Sequence, residues 1–394
     1  MKKIIEKAIE KIFAFSGMVT TVTILLIIAF LFKEGAGLFN SPIVEKGYVL
    51  CVNANNPVEH ISSADIKKIF NSVFENWSEV TSGFDEKIEL FYDEKILNNY
   101  GEDEWRTKIG EKIANTPGII ALVHDYEESL PKNFEGVKIL KDNTVLPKDF
   151  FLGLEWLPTS KPAPQFGVMP LILGTLLVSF VAILLATPLG IGVAIYLSEL
   201  AQSRVRDILK PTIELLAGIP SVVYGFFGLV VLVPIIQKTF SLNVGETALT
   251  GSVILAIMAL PTIITVAEDA MRSTPRAMRE ASLALGATHW QTIYKVVIPY
   301  AASGISAAVV LGIGRAIGET MVALMVTGNA ARLPKLFEPV RTIPATIAAE
   351  LGEAPGGGVH YQALFVLGCA LFLITMAISI TAELISKRQH NKGL

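Results

Sequence analysis

Cysteine is nearly missing from this chain. Only Cys51 and Cys369 occur in 394 residues. Cys369 lies in a long apolar run and Cys51 in a polar stretch, so no disulfide between them is expected. Two scattered thiols are also too few for a zinc site. Charge is scarce as well, at 18% of residues against roughly 25% in soluble domains. Neither sign dominates: Lys plus Arg number 33 and Asp plus Glu 36, a net charge of −3. That balance lacks the basic excess of a nucleic-acid binder. Signatures of catalysis are absent too. The sequence contains no G-x-x-x-x-G-K-[ST] loop, no H-E-x-x-H helix and no G-x-S-x-G elbow. Its five histidines (His60, His124, His289, His360 and His390) are scattered. Nothing makes a positive case for an enzyme or for a bound cofactor.

What the chain has in quantity is apolar residues, 52% of the total. A helix crossing the hydrocarbon core needs about 20 of them in succession. Six runs qualify: Ile12–Phe32, Phe166–Tyr196, Ile213–Ile236, Ala248–Ala267, Gly304–Thr327 and Tyr361–Ile385. The third holds Pro220, Gly225 and Gly228, so a kink or close packing is expected there. The first has a basic flank, Lys2, Lys3, Lys7 and Lys11. Its apolar stretch exceeds the ~7–15 residues of a signal core, and it is read as an uncleaved anchor over residues 1–39. Short-loop Lys and Arg residues fix the orientation. Arg204, Arg206, Lys210, Arg272, Arg276, Arg279, Lys295, Lys387, Arg388 and Lys392 join the N-terminal lysines on one side. Lys238, Arg332, Lys335 and Arg341 oppose them. Both termini are therefore expected in the cytoplasm.

Residues 40–165 then lie outside the cell membrane as a separate, charge-rich insert. Val44–Val52, Lys87–Tyr92 and Ile119–Val123 read as strands. Ser62–Phe70, capped by Ser62 or Ser63, and Tyr100–Ala114 read as helices. The expected fold is thus an all-α polytopic membrane protein with six transmembrane helices and a small extracytoplasmic α/β insert. Pro158–Pro164 (PTSKPAP) reads as a linker back to the membrane.

Two stretches carry chemistry. Pro275–Ala302 (PRAMREASLALGATHWQTIYKVVIPYAA) is amphipathic, with Gly286 and Pro299 as punctuation. It reads as helix, turn, helix. From spacing alone it is either an interfacial helix on the bilayer or a docking helix for a soluble partner. Inside the fifth run stand Arg315 and Glu319 (GIGRAIGETMVALMV). A charge at membrane depth costs at least ~2.5–3.5 kcal/mol. At i, i+4 the two share a helical face and either neutralise each other within the bundle or face an anion path beside Thr320. Arginine offers up to five donors suited to an oxyanion. Gly312, Gly314 and Gly318 permit close helix approach and leave room for a solute. Glu214, Pro220 and Ser221 mark a second polar interruption, and Glu268-Asp269 read as cytoplasmic surface.

These stretches resemble a known family. Glu280, Ala281 and Ser282 stand where ABC-importer permeases carry the EAA motif, with serine for the second alanine. Gly286 and Pro299 fall at its glycine and closing proline. GRAIGETMVALMVTGN (Gly314–Asn329), ELLAGIPSVVYG (Glu214–Gly225) and FGVMPLILGTLLVS (Phe166–Ser179) look like the permeases of phosphate ABC transporters, the PstC-type subunit in particular. The resemblance implies the type I, MetI-like permease fold over residues 166–390, with the EAA coupling loop at 275–302. It implies a PstA-type permease as partner, a dimer of PstB-type ATP-binding subunits on the coupling loop, and an extracytoplasmic phosphate-binding protein. ATP hydrolysis would belong to a partner chain. The charged pair proposed for the family's transport path corresponds to Arg315 and Glu319. Permeases for molybdate or sulfate are the competing expectation, and a membrane-anchored ligand sensor the alternative from another class. The insert departs from these permeases. Its VEHISSADIKKIFNSVFENWSEV (Val58–Val80) and NTPGIIALV (Asn115–Val123) resemble pieces of phosphate-binding proteins. The Ser-Gly-Thr phosphate loop between them is absent, which implies a truncated domain that seats or replaces the separate binding protein.

Overall fold

The structure, a computed structural model, describes residues 2–41, 44, 48–92, 104–124, 136–140, 144–161 and 163–392. Parts of two expected elements, at 45–47 and 100–103, and Pro162 lie outside the described residues. The chain divides into two compact units: Met1–Met169 with Ala354–Val366, and Pro170–Glu353 with Leu367–Leu394.

The first unit begins with helix α1, Lys2–Ala36. Most of its apolar side chains, Phe13, Leu25 and Phe30 among them, are exposed in the chain, as expected of a helix solvated by lipid. Only its far end packs, where Phe30 meets Phe365 edge-on at 5.6 Å. The insert follows as β1 (Tyr48–Asn53), α2 (Ser63–Phe70), β2 (Glu89–Tyr92), α3 (Glu104–Asn115), β3 (Ile119–His124), β4 (Val137–Leu140) and α4 (Pro147–Leu152). The sheet order is β2-β3-β1-β4. β1 runs antiparallel to both β3 and β4, and β2 runs parallel to β3. Cys51, Ile109, Ile113, Ile119 and Val123 fill the core against α3. Ser62 caps α2 by accepting from the Asp65 amide at 3.1 Å. Trp77 is fully buried and its Nε1 donates to the Gly118 carbonyl at 2.8 Å. The two binding-protein-like stretches therefore touch each other through that indole.

The proline-rich stretch is not a free linker. Trp156–Leu157 (β5) pairs antiparallel with Gln165–Phe166 (β6), and the stretch becomes the loop of that hairpin. Gln165, buried, donates to both the carbonyl and the hydroxyl of Ser63 at 2.8 Å. These bonds hold the loop on α2. Cys51 and Cys369 are both buried and free.

The second unit is helical. It holds most of α5 (Met169–Leu200), then α6 (Ser203–Ala217), α7 (Ser221–Thr239), α8 (Ala248–Arg272), α9 (Arg276–Ala284), α10 (His289–Gly318), α11 (Met321–Val326) and α12 (Ile343–Glu350); α13 (Val359–Lys392) ends the chain. Among the described residues, six helices are long and apolar enough to cross a membrane: α1, α5, α7, α8, α10 and α13. The third run was placed too early. Gly218 and Pro220 break the chain, so Ile213 belongs to the amphipathic α6 and the span begins at Ser221. The centre packs Val178, Ala182 and Ala186 of α5 against Ile254, Met258 and Ile263 of α8. Small residues allow this approach. A Cβ on Gly312 would lie 2.8 Å from Ile263, and one on Gly225 would lie 2.6 Å from the Met325 sulfur.

Candidate functional site

The fifth span ends inside its own apolar run. Helix α10 stops at Gly318, and Glu319 is extended at φ −73°, ψ 127°. Arg315 and Glu319 are therefore not one turn apart on a single helix, as their spacing implies. Glu319 turns forward instead: its Oε1 accepts from the Met321 amide at 3.2 Å and caps the short α11. Thr320 Oγ1 donates back to the Gly318 carbonyl at 3.3 Å. The chain's own hydrogen-bonding groups thus satisfy part of the break. Backbone irregularity at membrane depth is tolerated where protein buries it or where it lines a water-filled cavity.

Arg315 is half-buried and donates through Nη1 to Thr262 Oγ1 of α8 at 3.3 Å. It makes no ion pair among the described residues. Its position in the last turn of α10 suits the negative end of the helix dipole. Leu311, Gly314, Arg315 and Gly318 share one helical face. Leu311 is 53% exposed, and a Cβ on Gly314 or Gly318 would meet nothing within 4 Å. The adjacent face, with Ala308, Gly312 and Ala316, is buried. So Gly312 serves close packing, whereas Gly314 and Gly318 keep open space beside the arginine.

The second interruption abuts the first through packing. Gly218–Pro220 separates α6 from α7, and Pro220 and Ser221 begin the new helix. Tyr224 Oη reaches back to the Leu216 carbonyl at 2.8 Å and bridges the break. Gly225 and Gly228 of α7 admit Met325 and Val326 of α11 at close range. Glu214 is exposed on α6, on the far side of the break from Pro220 and Ser221.

At the other end of the spans lies the amphipathic stretch. Helix α9 carries Glu280 and Ala281, both exposed, and Ser282. It ends in a Schellman cap. Gly286 takes φ +85°; its amide donates to the Leu283 carbonyl at 2.9 Å and the Ala287 amide to Ser282 at 3.2 Å. Thr288 then opens α10 through a capping box with Gln291. The second helix does not stop at Pro299. It runs straight into the fifth span, because a π-turn at Ile293–Val297 absorbs the bond that Pro299 cannot make. Leu285, 89% exposed, stands at the turn with Met278 and Trp290, which are also exposed.

Sequence reasoning missed what ties this stretch to the spans. Arg279 Nη2 donates to Glu199 Oε1 at the end of α5, at 2.8 Å, and to the Met271 carbonyl near the end of α8, at 2.9 Å. Ser282 and Thr292 hydroxyls join α9 to α10 at 3.0 Å. Nor is Glu268 surface. It is 1% exposed and pairs with Lys210 at 2.5 Å and Arg272 at 3.3 Å. Only its neighbour Asp269 is exposed, bonding Lys210 at 2.9 Å. Burial works against the Lys210 charge, but hydrogen bonds to Glu268 and Asp269 outweigh it and hold its pKa above the usual lysine value. The available signal was a cation on α6 and acids at the end of α8; nothing in their spacing paired them.

Residues 186–391 match the family of binding-protein-dependent transport system inner membrane components. The Phosphate transport system permease protein PstC of Mesorhizobium japonicum is 41% identical over 254 residues, 59% of this chain and 76% of the relative. The chain belongs to this family, as a PstC-type permease. The PstC of Pasteurella multocida is 36% identical over 260 residues, 61% of this chain and 80% of the relative. The Probable ABC transporter permease protein YqgH of Bacillus subtilis is 42% identical over 260 residues, 65% of this chain and 84% of the relative. Among solved structures, the inward-facing MetNI methionine ABC transporter is similar over 59% of this chain and 99% of that chain, at 20% identity and a TM-score of 0.45. This PstC-type permease is thus a multi-pass inner-membrane subunit of an ABC importer.

Proposed function

We propose that this permease forms half of an ATP-driven import path for phosphate, with Arg315 as the cationic contact of the moving anion. The observation that carries the reading is the open face of α10. Arg315 stands there beside two glycines with free space over them, next to the break at Glu319. A second, PstA-type permease would close that face and complete the path. Phosphate rather than another anion is supported by the relatives, which are named for phosphate transport. Arg315 would offer charge-assisted hydrogen bonds. Glu319, held by the α11 amide, would keep a negative charge near the path and prevent the anion from binding too tightly. Thr320 follows Glu319 directly in the chain.

Coupling would run through α9. The exposed apolar side chains around Gly286 fit a groove on a PstB-type ATP-binding subunit, two copies of which would hydrolyse ATP. Arg279 and Ser282 tie α9 to α5, α8 and α10. Closure of the ATPase dimer would therefore carry three spans between inward- and outward-facing states. An extracytoplasmic binding protein would deliver phosphate, and the basic loops put both termini in the cytoplasm. The test is reconstitution of this chain with its partner chains in liposomes. Phosphate, delivered by the binding protein, is expected to stimulate ATP hydrolysis, and labelled phosphate uptake is expected to resist excess sulfate or molybdate. Uptake abolished equally by those anions would replace phosphate by a broader oxyanion substrate.

A further inference from the structure

Five large apolar side chains stand out of the insert within twelve residues: Leu146, Phe151, Leu152, Leu154 and Leu157, each 40–56% exposed. Single exposed apolar residues are ordinary, but a cluster marks a contact surface. Three of them, Leu146, Leu152 and Leu154, share the wall of one cleft of about 670 Å³. Lys67, Lys68 and Lys148 line the same cleft. Lys67 pairs with Glu155 and Lys68 with Asp65 at 3.5 Å. Lys148 has no ion pair among the described residues.

The position of this cluster decides its partner. Helix α4 is held by the ends of two membrane spans. Phe39, at the close of the first, meets Phe150 edge-on at 6.1 Å. On the other side the Val168 amide donates to the Phe150 carbonyl at 2.9 Å, and the amide of Met169, the first residue of α5, to Gly153 at 3.3 Å. The backbones touch so closely that a Cβ on Gly153 would lie 2.7 Å from Gly167 Cα, and one on Gly167 would lie 2.7 Å from the Gly153 oxygen. Nothing larger than glycine fits at either place. Leu152 and Leu154 thus flank the residue bonded to the start of a span.

We infer that α4 and the turn after it form a foot that rests in the lipid surface. Phe151, Leu152, Leu154 and Leu157 enter the boundary between headgroups and acyl chains, and Lys148 meets lipid phosphates. The ends of the first two spans hold it in place. Interfacial segments of this kind bury their apolar side roughly 5–10 Å deep. The inference rests on the membrane-spanning helices, not on the choice of phosphate. A docking segment of the binding protein is the competing occupant.

The experiment uses the full chain in liposomes of phosphatidylethanolamine and phosphatidylglycerol. A nitroxide is placed at Leu152→Cys and, separately, at Leu154→Cys; Cys51 and Cys369 are buried and the unsubstituted chain controls for their labelling. Collision with oxygen is compared with collision with a water-soluble nickel chelate. Labels at exposed Glu59 and at Leu176, exposed on the apolar span α5, supply the aqueous and acyl references. Oxygen-dominated collision at 152 and 154, shifted from the Glu59 reference towards that of Leu176, is the expected result. Nickel-dominated collision matching Glu59 at both positions would overturn the inference. So would nickel access that disappears only when the binding protein is added, which would assign the surface to a protein partner.

Discussion

Glu268 sits in a sequence that reads as the polar end of a span, yet it is 1% exposed between Lys210 and Arg272. Removing that charge leaves Arg272 without its partner and Lys210 with Asp269 alone, and breaking a buried pair costs ~3–5 kcal/mol. Glu268→Gln is expected to lower the unfolding temperature in detergent by several degrees. Asp269→Asn, at a side chain 61% exposed, is expected to change stability by less than about 1 kcal/mol. Equal effects would contradict the burial. The raised Lys210 pKa means that its contribution is complete below the ordinary lysine pKa and fades only as pH rises through the higher folded value. Lys210 therefore stays charged throughout the neutral range. The sequence could not reveal it, because Lys210 and Glu268 stand 58 residues apart. Arg315 was legible for the opposite reason: one charge in a long apolar run is conspicuous without any partner.

Among elements, legibility followed the breakers. Gly218 and Pro220 announce the interruption between α6 and α7, although the run of apolar residues blurred which side of it Ile213 belongs to. The interruption after α10 has no proline. Gly318 and Glu319 make it, and the apolar Met321–Val326 that follows disguised it as a continuing span. Pro299 misled in the other direction. It looks like a terminator, but the π-turn before it keeps α10 continuous from the coupling turn to Gly318. Within the insert, β1, α2 and β3 were readable from alternation and capping, whereas β4 and α4 were too short to stand out. The continuity of α10 and the Arg279 link support the proposed role of α9 as a lever on three spans. Arg279→Glu is expected to cut substrate-stimulated ATP hydrolysis about tenfold, worth ~1.4 kcal/mol, while the ATP-binding subunits still copurify. Glu199→Arg should do the same, and the two together should recover part of the stimulation. A double variant no better than either single one would show that the link does not transmit motion.

The whole molecule carries helical spans and an α/β insert in one chain, and charge density changes sharply in the sequence at residues 40–165. On the proposed reading the permease unit, not the insert, holds the transported ion. Its central claim concerns one side chain. Arg315 lies on a face of α10 that this chain leaves open, with Gly314 and Gly318 clearing space around it. The most direct measurement is labelled phosphate uptake by the assembled transporter carrying Arg315→Gln, with copurification of all subunits checked alongside. The account predicts uptake lowered at least ~100-fold, about 2.7 kcal/mol in the barrier, in an intact assembly. Uptake within about twofold of the native rate, in the same assembly, would contradict it.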